Sequence, residues 1–137
     1  LREIPYDDFS AANIPYLYGI DLSNNAFDAF PFAPLSIETL TVMSIRQQRD
    51  DEGNRTLREW PQGLHACPKM SAFYIGSNDL GKIEDTISPY ILLFEIKDNP
   101  NISIDLSEVC PYIEMGYYEL IYDSTQNIRG CDALNLD

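Results

Sequence analysis

The stretch LYGIDLSNNAFDAFP, Leu17–Pro31, sets what this chain can fold into. Its apolar residues stand at Leu17, Ile20, Leu22, Phe27 and Phe30, with Asn25 between the two groups and Pro31 closing the run. The spacing L-x-x-L-x-L-x-x-N-x-L-x-x-L-P returns at Met70–Ile83, MSAFYIGSNDLGKI. There Met70, Phe73, Ile75, Asn78, Leu80 and Ile83 hold the matching places. A template that recurs with a period in the low twenties specifies stacked coils, because one copy is too short to bury its own apolar face.

Within the first coil Ile20 and Leu22 alternate inward while Gly19, Asp21 and Ser23 point outward, the period-2 pattern of a half-buried strand. The second coil reads from Ile37 as IETLTVMSI, with Ile37, Leu40 and Val42 inward and Ile45 where an amide is expected. About ten polar residues, RQQRDDEGNR at Arg46–Arg55, follow before the pattern resumes at Leu57, Trp60 and Pro61, as a loop inserted at one edge of the stack. A fourth coil runs through Ile91, Phe94, Ile96 and Asn99. Its register then slips to Ile102, and Pro100 predicts a small bulge or turn, with Ile104, Leu106 and Val109 refilling the core.

Beyond Ile113 the template weakens. Tyr117, Tyr118, Leu120, Ile121 and Tyr122 make a fifth, atypical strand whose first position is Met115 or Ile113. A start at Met115 puts Asp123 at the amide place. NIRGCDALNLD closes the chain as a cap-like end, and Leu1–Pro5, LREIP, matches the close of a coil whose strand is missing.

The template and its spacing resemble the leucine-rich repeat family over most of the chain. GIDLSNNAF, IGSNDL and DNPNISIDLSEVCPY together resemble the leucine-rich repeat surface proteins of Gram-negative gut bacteria, often lipid-anchored. The resemblance implies an α/β class, mostly β with short helical or 3₁₀ turns: a right-handed solenoid with a curved parallel sheet, about five repeats and an atypical C-terminal cap. It implies a single domain over 1–137, the C-terminal part of a longer protein, with a partial repeat at 1–16, repeats over 17–112 and the cap at 113–137. Asn25, Asn78 and Asn99 would form a structural ladder, each amide bonding the turn backbone of neighbouring repeats. An extracytoplasmic place, at the cell surface or secreted, and a protein or glycan partner are implied too. No catalytic residues come with the resemblance.

Composition narrows the function further. No run of 18 apolar residues exists, so no transmembrane helix is expected. A formal charge of −13, with nine Lys and Arg against 22 Asp and Glu, opposes nucleic acid and favours, if anything, a cationic partner. Three cysteines leave two arrangements open: Cys67 and Cys110 as small buried fillers in matching contexts, or a Cys110–Cys131 bridge.

No nucleophile–base pair, metal motif or phosphate loop stands out. His65, the single histidine, has Cys67 two residues away, but alternate residues on one strand rarely aim at each other. Asp50, Asp51, Glu52 and Asn54 around Gly53 lack the spacing of a calcium loop, as do Asp7-Asp8 and the Asp98, Asn99, Asn101, Asp105 cluster. No enzyme, cofactor or metal is therefore expected.

The concave strand face is the candidate binding surface. Its central row would be Asp21, Thr41, Tyr74, Glu95 and Glu119, flanked by Ser23, Met43, Gly76 and Lys97 and, on the other side, by Gly19, Thr39, Ala72 and Leu93. Tyr74 and Met43 are the side chains from which interface anchors are usually made. The loop would add Arg46, Arg49, Asp50, Asp51, Glu52 and Arg55. Two other roles fit the same features: a spacer in a larger surface protein, or a carbohydrate-binding accessory using Trp60 and the tyrosines.

Overall fold

The computed structural model describes residues 16–30, 38–60, 69–83 and 91–134. Strands β1 (Gly19–Asp21), β2 (Val42–Ser44), β3 (Ala72–Tyr74), β4 (Leu93–Glu95) and β6 (Glu119–Ile121) pair in parallel as one five-stranded sheet. The chain therefore contributes one strand per coil, over about four turns of solenoid. Strands β5 (Ser103–Asp105) and β7 (Asn127–Arg129) form a second, two-stranded parallel sheet. Helix α1 (Cys110–Glu114) and a 3₁₀ turn at Asp132–Leu134 are the helical pieces among the described residues. A mostly-β solenoid with little helix is the expected architecture. No described helix is long and apolar enough to cross a membrane.

Register places Ile20, Met43, Phe73, Phe94 and Leu120 side by side in one inward column. Leu22, Ile45, Ile75 and Ile96 form the next, all buried. Phe73 and Phe94 stack with ring centroids 5.9 Å apart, and Trp60 tilts against both at 6.0 and 5.7 Å.

The second coil departs from the sequence reading. Met43 and Ile45 are fully buried, whereas Val42 and Ser44 face outward. LTVMSI is apolar enough to alternate in either register. Val42 suits a strand, but the deciding element is the polar side chain five residues beyond the first inward strand position. That residue is Gln48, at the place Asn78 holds after Phe73, so Ile45 is core and not a vacant amide place.

Gln48, Asn78, Asn99 and Gln126 make a buried spine with Asn25 at its end. Asn78 Nδ2 donates to Ile45 O (2.9 Å) in the preceding coil and Ile75 O (3.0 Å) in its own. Asn99 Nδ2 does the same with Ile75 O and Ile96 O, both at 3.0 Å. Gln48 Nε2 reaches back to Leu22 O at 2.9 Å, and Gln126 Nε2 to Ile96 O at 2.7 Å. The side-chain oxygens accept in turn from Phe27 N–H, Gln48 N–H, Leu80 N–H and Asp123 N–H. Asp123 is thus not the fifth spine residue. Gln126 lies one residue further on than the template allows, and its extra methylene covers the difference. Nor does a strand start at Ile113, which lies in α1, or at Met115, which is exposed.

The residue before each of the first four spine amides adopts a left-handed conformation: Asn24 (φ 62°), Gln47 (55°), Ser77 (57°) and Asp98 (57°). Such turns aim the carbonyls two and three residues before the amide back at its NH₂ group. Asn and Asp tolerate this region better than Gln or Ser. After Asn99, Pro100 and Asn101 form the expected turn, and Ile102 is buried. Cys110 in α1 is bridged to Cys131 just before the 3₁₀ turn, with Cα atoms 5.2 Å apart, so the second of the two cysteine arrangements is the observed one. Cys67 lies outside the described residues.

The spine yields an ordered expectation. Asn78→Ala leaves carbonyls of two coils unpaired in a fully buried site. It should cost about 3 kcal/mol in urea unfolding. Asn25→Ala, at the half-buried end of the spine, should cost roughly a third of that. Equal losses would show that the spine does not act as drawn.

Candidate site on the outward strand face

Three rows cross the outward face of the five-stranded sheet. The first is Gly19, Val42, Ala72, Leu93 and Glu119, and the second is Asp21, Ser44, Tyr74, Glu95 and Ile121. Backbone bonds from Asn24, Gln47 and Ser77 to Arg46, Gly76 and Lys97 extend the pairing to a third row, Ser23, Arg46, Gly76 and Lys97. Asp21, Tyr74 and Glu95 therefore share a row as the sequence predicts, and so do Ser23, Gly76 and Lys97. Three predicted placements are corrected. Met43 is fully buried and cannot touch a ligand. Thr41 precedes β2 and turns its hydroxyl to Thr39 O at 3.1 Å. Glu119 belongs to the first row and not the second. Ser44 and Ile121 occupy the places assigned to Thr41 and Glu119; only the Met43 register would have revealed Ser44.

Glu95 is not a free acid on this face. Its carboxylate is almost wholly buried, with Arg46 Nε at 2.8 Å and Gly76 N–H donating to the same oxygen at 3.1 Å. Arg46 and Glu95 stand two coils apart, and the intervening coil carries Gly76. Any Cβ there would strike the Glu95 carboxylate, so the glycine is what lets the pair close. A substitution such as Glu95→Lys thus disturbs the fold as well as the surface. Arg46 belongs to this ion pair and not to the inserted loop.

The insertion occupies residues 49–55, closed by an antiparallel bridge between Arg49 and Arg55. The Asp50 carboxylate accepts from Glu52 N–H and Asn54 N–H, both at 2.9 Å, and so shapes the turn. Arg49 donates to Gln48 O and Ser77 O. Arg55 donates to Asn78 O (2.7 Å) and Asp98 O (2.9 Å), and pairs with the Asp98 carboxylate at 2.9 Å. Both arginines are therefore spent clasping the loop to the left-handed turns of the next two coils, which leaves Asp51 and Glu52 as its outward charges. Burial, with Arg55 close by, holds the Arg49 guanidinium below its ordinary pKa. The Arg55 hydrogen bond, helped by the Ser77 hydroxyl, holds Asp98 below the usual carboxylate range. A polar cleft beside the loop is lined by Asp28, Asp50, Asn54, Thr56, Arg58 and Asp79.

Trp60 is half-buried and tilts against Phe73 and Phe94, so much of its ring is taken up in packing against the core. His65 lies outside the described residues. Among those residues, no group of three or more His, Cys, Asp or Glu could hold a metal ion. Burial drives the Tyr118 hydroxyl's pKa far up, so it stays protonated.

Stacked coils, an amide spine and an open parallel sheet make the chain a leucine-rich repeat solenoid. It superposes on the crystal structure of a leucine-rich repeat protein from Bacteroides thetaiotaomicron VPI-5482 with a TM-score of 0.92 and 52% identity, over 96% of this chain and 16% of that one. A leucine-rich repeat protein from Bacteroides eggerthii DSM 20697 gives 0.91 and 60%, over 96% and 21%. The chain thus spans about a fifth or less of either solved protein. No family model and no curated protein matches it.

The clasp carries a pH dependence of definite sign. Because folding depresses the Asp98 pKa, its contribution is present above the unfolded carboxylate value and is lost as pH falls through the folded one. Asp98→Asn keeps a residue that tolerates the left-handed turn but removes the charge. Acid unfolding of that variant should start from a slightly lower stability, by less than about 1 kcal/mol for so exposed a pair, and fall less steeply below pH ~5. An unchanged acid limb would remove Asp98 from the account.

Proposed function

We propose that the outward strand face binds a protein or glycan partner, and that the protein is a non-enzymatic interaction module working outside the cytoplasm. The observation that carries this reading is the half-exposed row Val42, Ala72 and Leu93, with Tyr74 and Ile121 alongside. A sheet face with no second layer over it normally reads polar, and a contiguous apolar patch on a surface marks a contact site. The insertion is clasped to one end of the face and would present Asp51 and Glu52 to the same partner. The Cys110–Cys131 bridge favours an oxidising compartment, consistent with a surface or secreted location.

A spacer role is the competing reading, favoured by the internal use of Arg46, Arg49 and Arg55. The double variant Tyr74→Ala, Leu93→Ser separates the two. Affinity capture against envelope and medium proteins, together with a glycan array, should identify a ligand that the variant loses by roughly tenfold or more. Its melting temperature should change little, since both side chains stand on the open face. Full retention of every ligand by the folded variant would leave the spacer.

A further inference from the structure

All the large apolar side chains exposed among the described residues, Tyr16, Tyr18, Leu92, Tyr112, Met115 and Tyr117, belong to segments that lead into strands of the sheet. Tyr16 and Tyr18 lead into β1, Leu92 into β4 and Tyr117 into β6, while Tyr112 and Met115 belong to α1 and its C-cap, immediately upstream of β6. This leading edge, where strands begin, is the opposite of the trailing edge that holds the spine turns and the clasped loop. The aromatic groups stand at its two ends. Thr41 and Ser71, half-buried, lie between them, at the places in β2 and β3 that Tyr18 and Leu92 hold in β1 and β4.

Among the described residues the charge on that side is mostly negative. Glu38, Glu114 and Glu119 are exposed there, against Lys69 as the described base. Arg46, Arg55 and Arg58 pair with acids elsewhere in the chain. A second copy carries the same net charge of −13 and the same acids on this edge, so like charges would meet and it is the wrong occupant. From β1 to β6 there are four strand spacings, or about 19 Å, the reach of about six extended residues.

We propose that this leading edge docks a basic, aliphatic-rich polypeptide segment, extended from Tyr18 to Tyr117. Its apolar side chains rest on the two aromatic ends and its cations face Glu38, Glu114 and Glu119. The proposal rests on the reading of the strand face as a binding surface and names the chemistry of the partner.

The test uses fluorescence anisotropy on the whole chain with a labelled twelve-residue Lys/Leu peptide, its Glu/Leu counterpart and a panel of neutral oligosaccharides. The Lys/Leu peptide should bind at about 20 mM salt and weaken about tenfold or more at about 300 mM. Tyr18→Ser with Tyr117→Ser, and separately Glu38→Gln with Glu119→Gln, should each lower affinity about tenfold. Asp28→Asn with Glu59→Gln removes as much charge away from the edge and should change nothing. Equal binding of the Glu/Leu peptide, sugar binding in place of peptide binding, or equal losses in the distant-charge variant would each overturn the proposal. If Tyr74→Ala, Leu93→Ser abolishes a captured ligand while the leading-edge variants keep it, the strand face stands and the leading-edge partner falls. Loss of neither overturns both.

Discussion

The side-chain NH₂ group shared between two coils is the interaction on which the rest of this structure depends. A solenoid coil must reverse direction after every strand, and at the reversal its carbonyls point inward, away from water. Leaving them unpaired would cost about 1–3 kcal/mol each, repeated at every turn. At Gln48, Asn78 and Asn99 one amide satisfies a carbonyl from its own coil and one from its predecessor. Gln126 reaches two carbonyls of the coil before, and each side-chain oxygen takes up an N–H. Stacking and hydrogen bonding are therefore one event. A coil cannot be added without completing the bonds of the one before it, and that fixes the strand register on which every surface row depends.

The same reversal explains where this chain tolerates additions. Residues 49–55 enter just after the Gln48 amide, outside the bonded turn, so the spine is undisturbed. The added segment brings its own fastening. Arg49 and Arg55 cap carbonyls at Ser77, Asn78 and Asp98 on neighbouring turns, so the insertion also ties three successive coils together at their exposed edge. Across the face, Arg46 and Glu95 do something similar over Gly76. Isolated surface pairs contribute little, but a largely buried carboxylate with an arginine and a backbone donor is better placed than most.

How much of this could be read in the sequence follows from what each signal encodes. Asn25, Asn78 and Asn99 announced the spine because each sits at a fixed distance from its aliphatic column. Gln48 and Gln126 did not, since a longer amide lets the spacing drift or disguises it, and with Gln48 overlooked the second strand slipped by one residue. That slip put Met43 on the surface and hid Ser44. The Arg46–Glu95 pair and the packing of Trp60 depend on which coils stack two apart, information no single repeat contains. The cysteines offered a choice that proximity decides, once α1 brings Cys110 to the end of β7.

The two edges of the sheet are under different constraints. At the trailing edge every position serves the reversal: a left-handed residue, a spine amide, carbonyls with named partners, arginines fastened to them. A substitution there is paid in stability. At the leading edge the repeated bonds are backbone ones, with the Tyr18, Thr41, Ser71 and Leu92 carbonyls accepting from the next coil, and they leave the choice of side chain open. Exposed tyrosines, a leucine and a methionine in such positions bury little apolar surface within the chain. Among the described residues they gather where the backbone, and not the side chain, joins the coils, which is the strongest reason to look there for contact with another molecule.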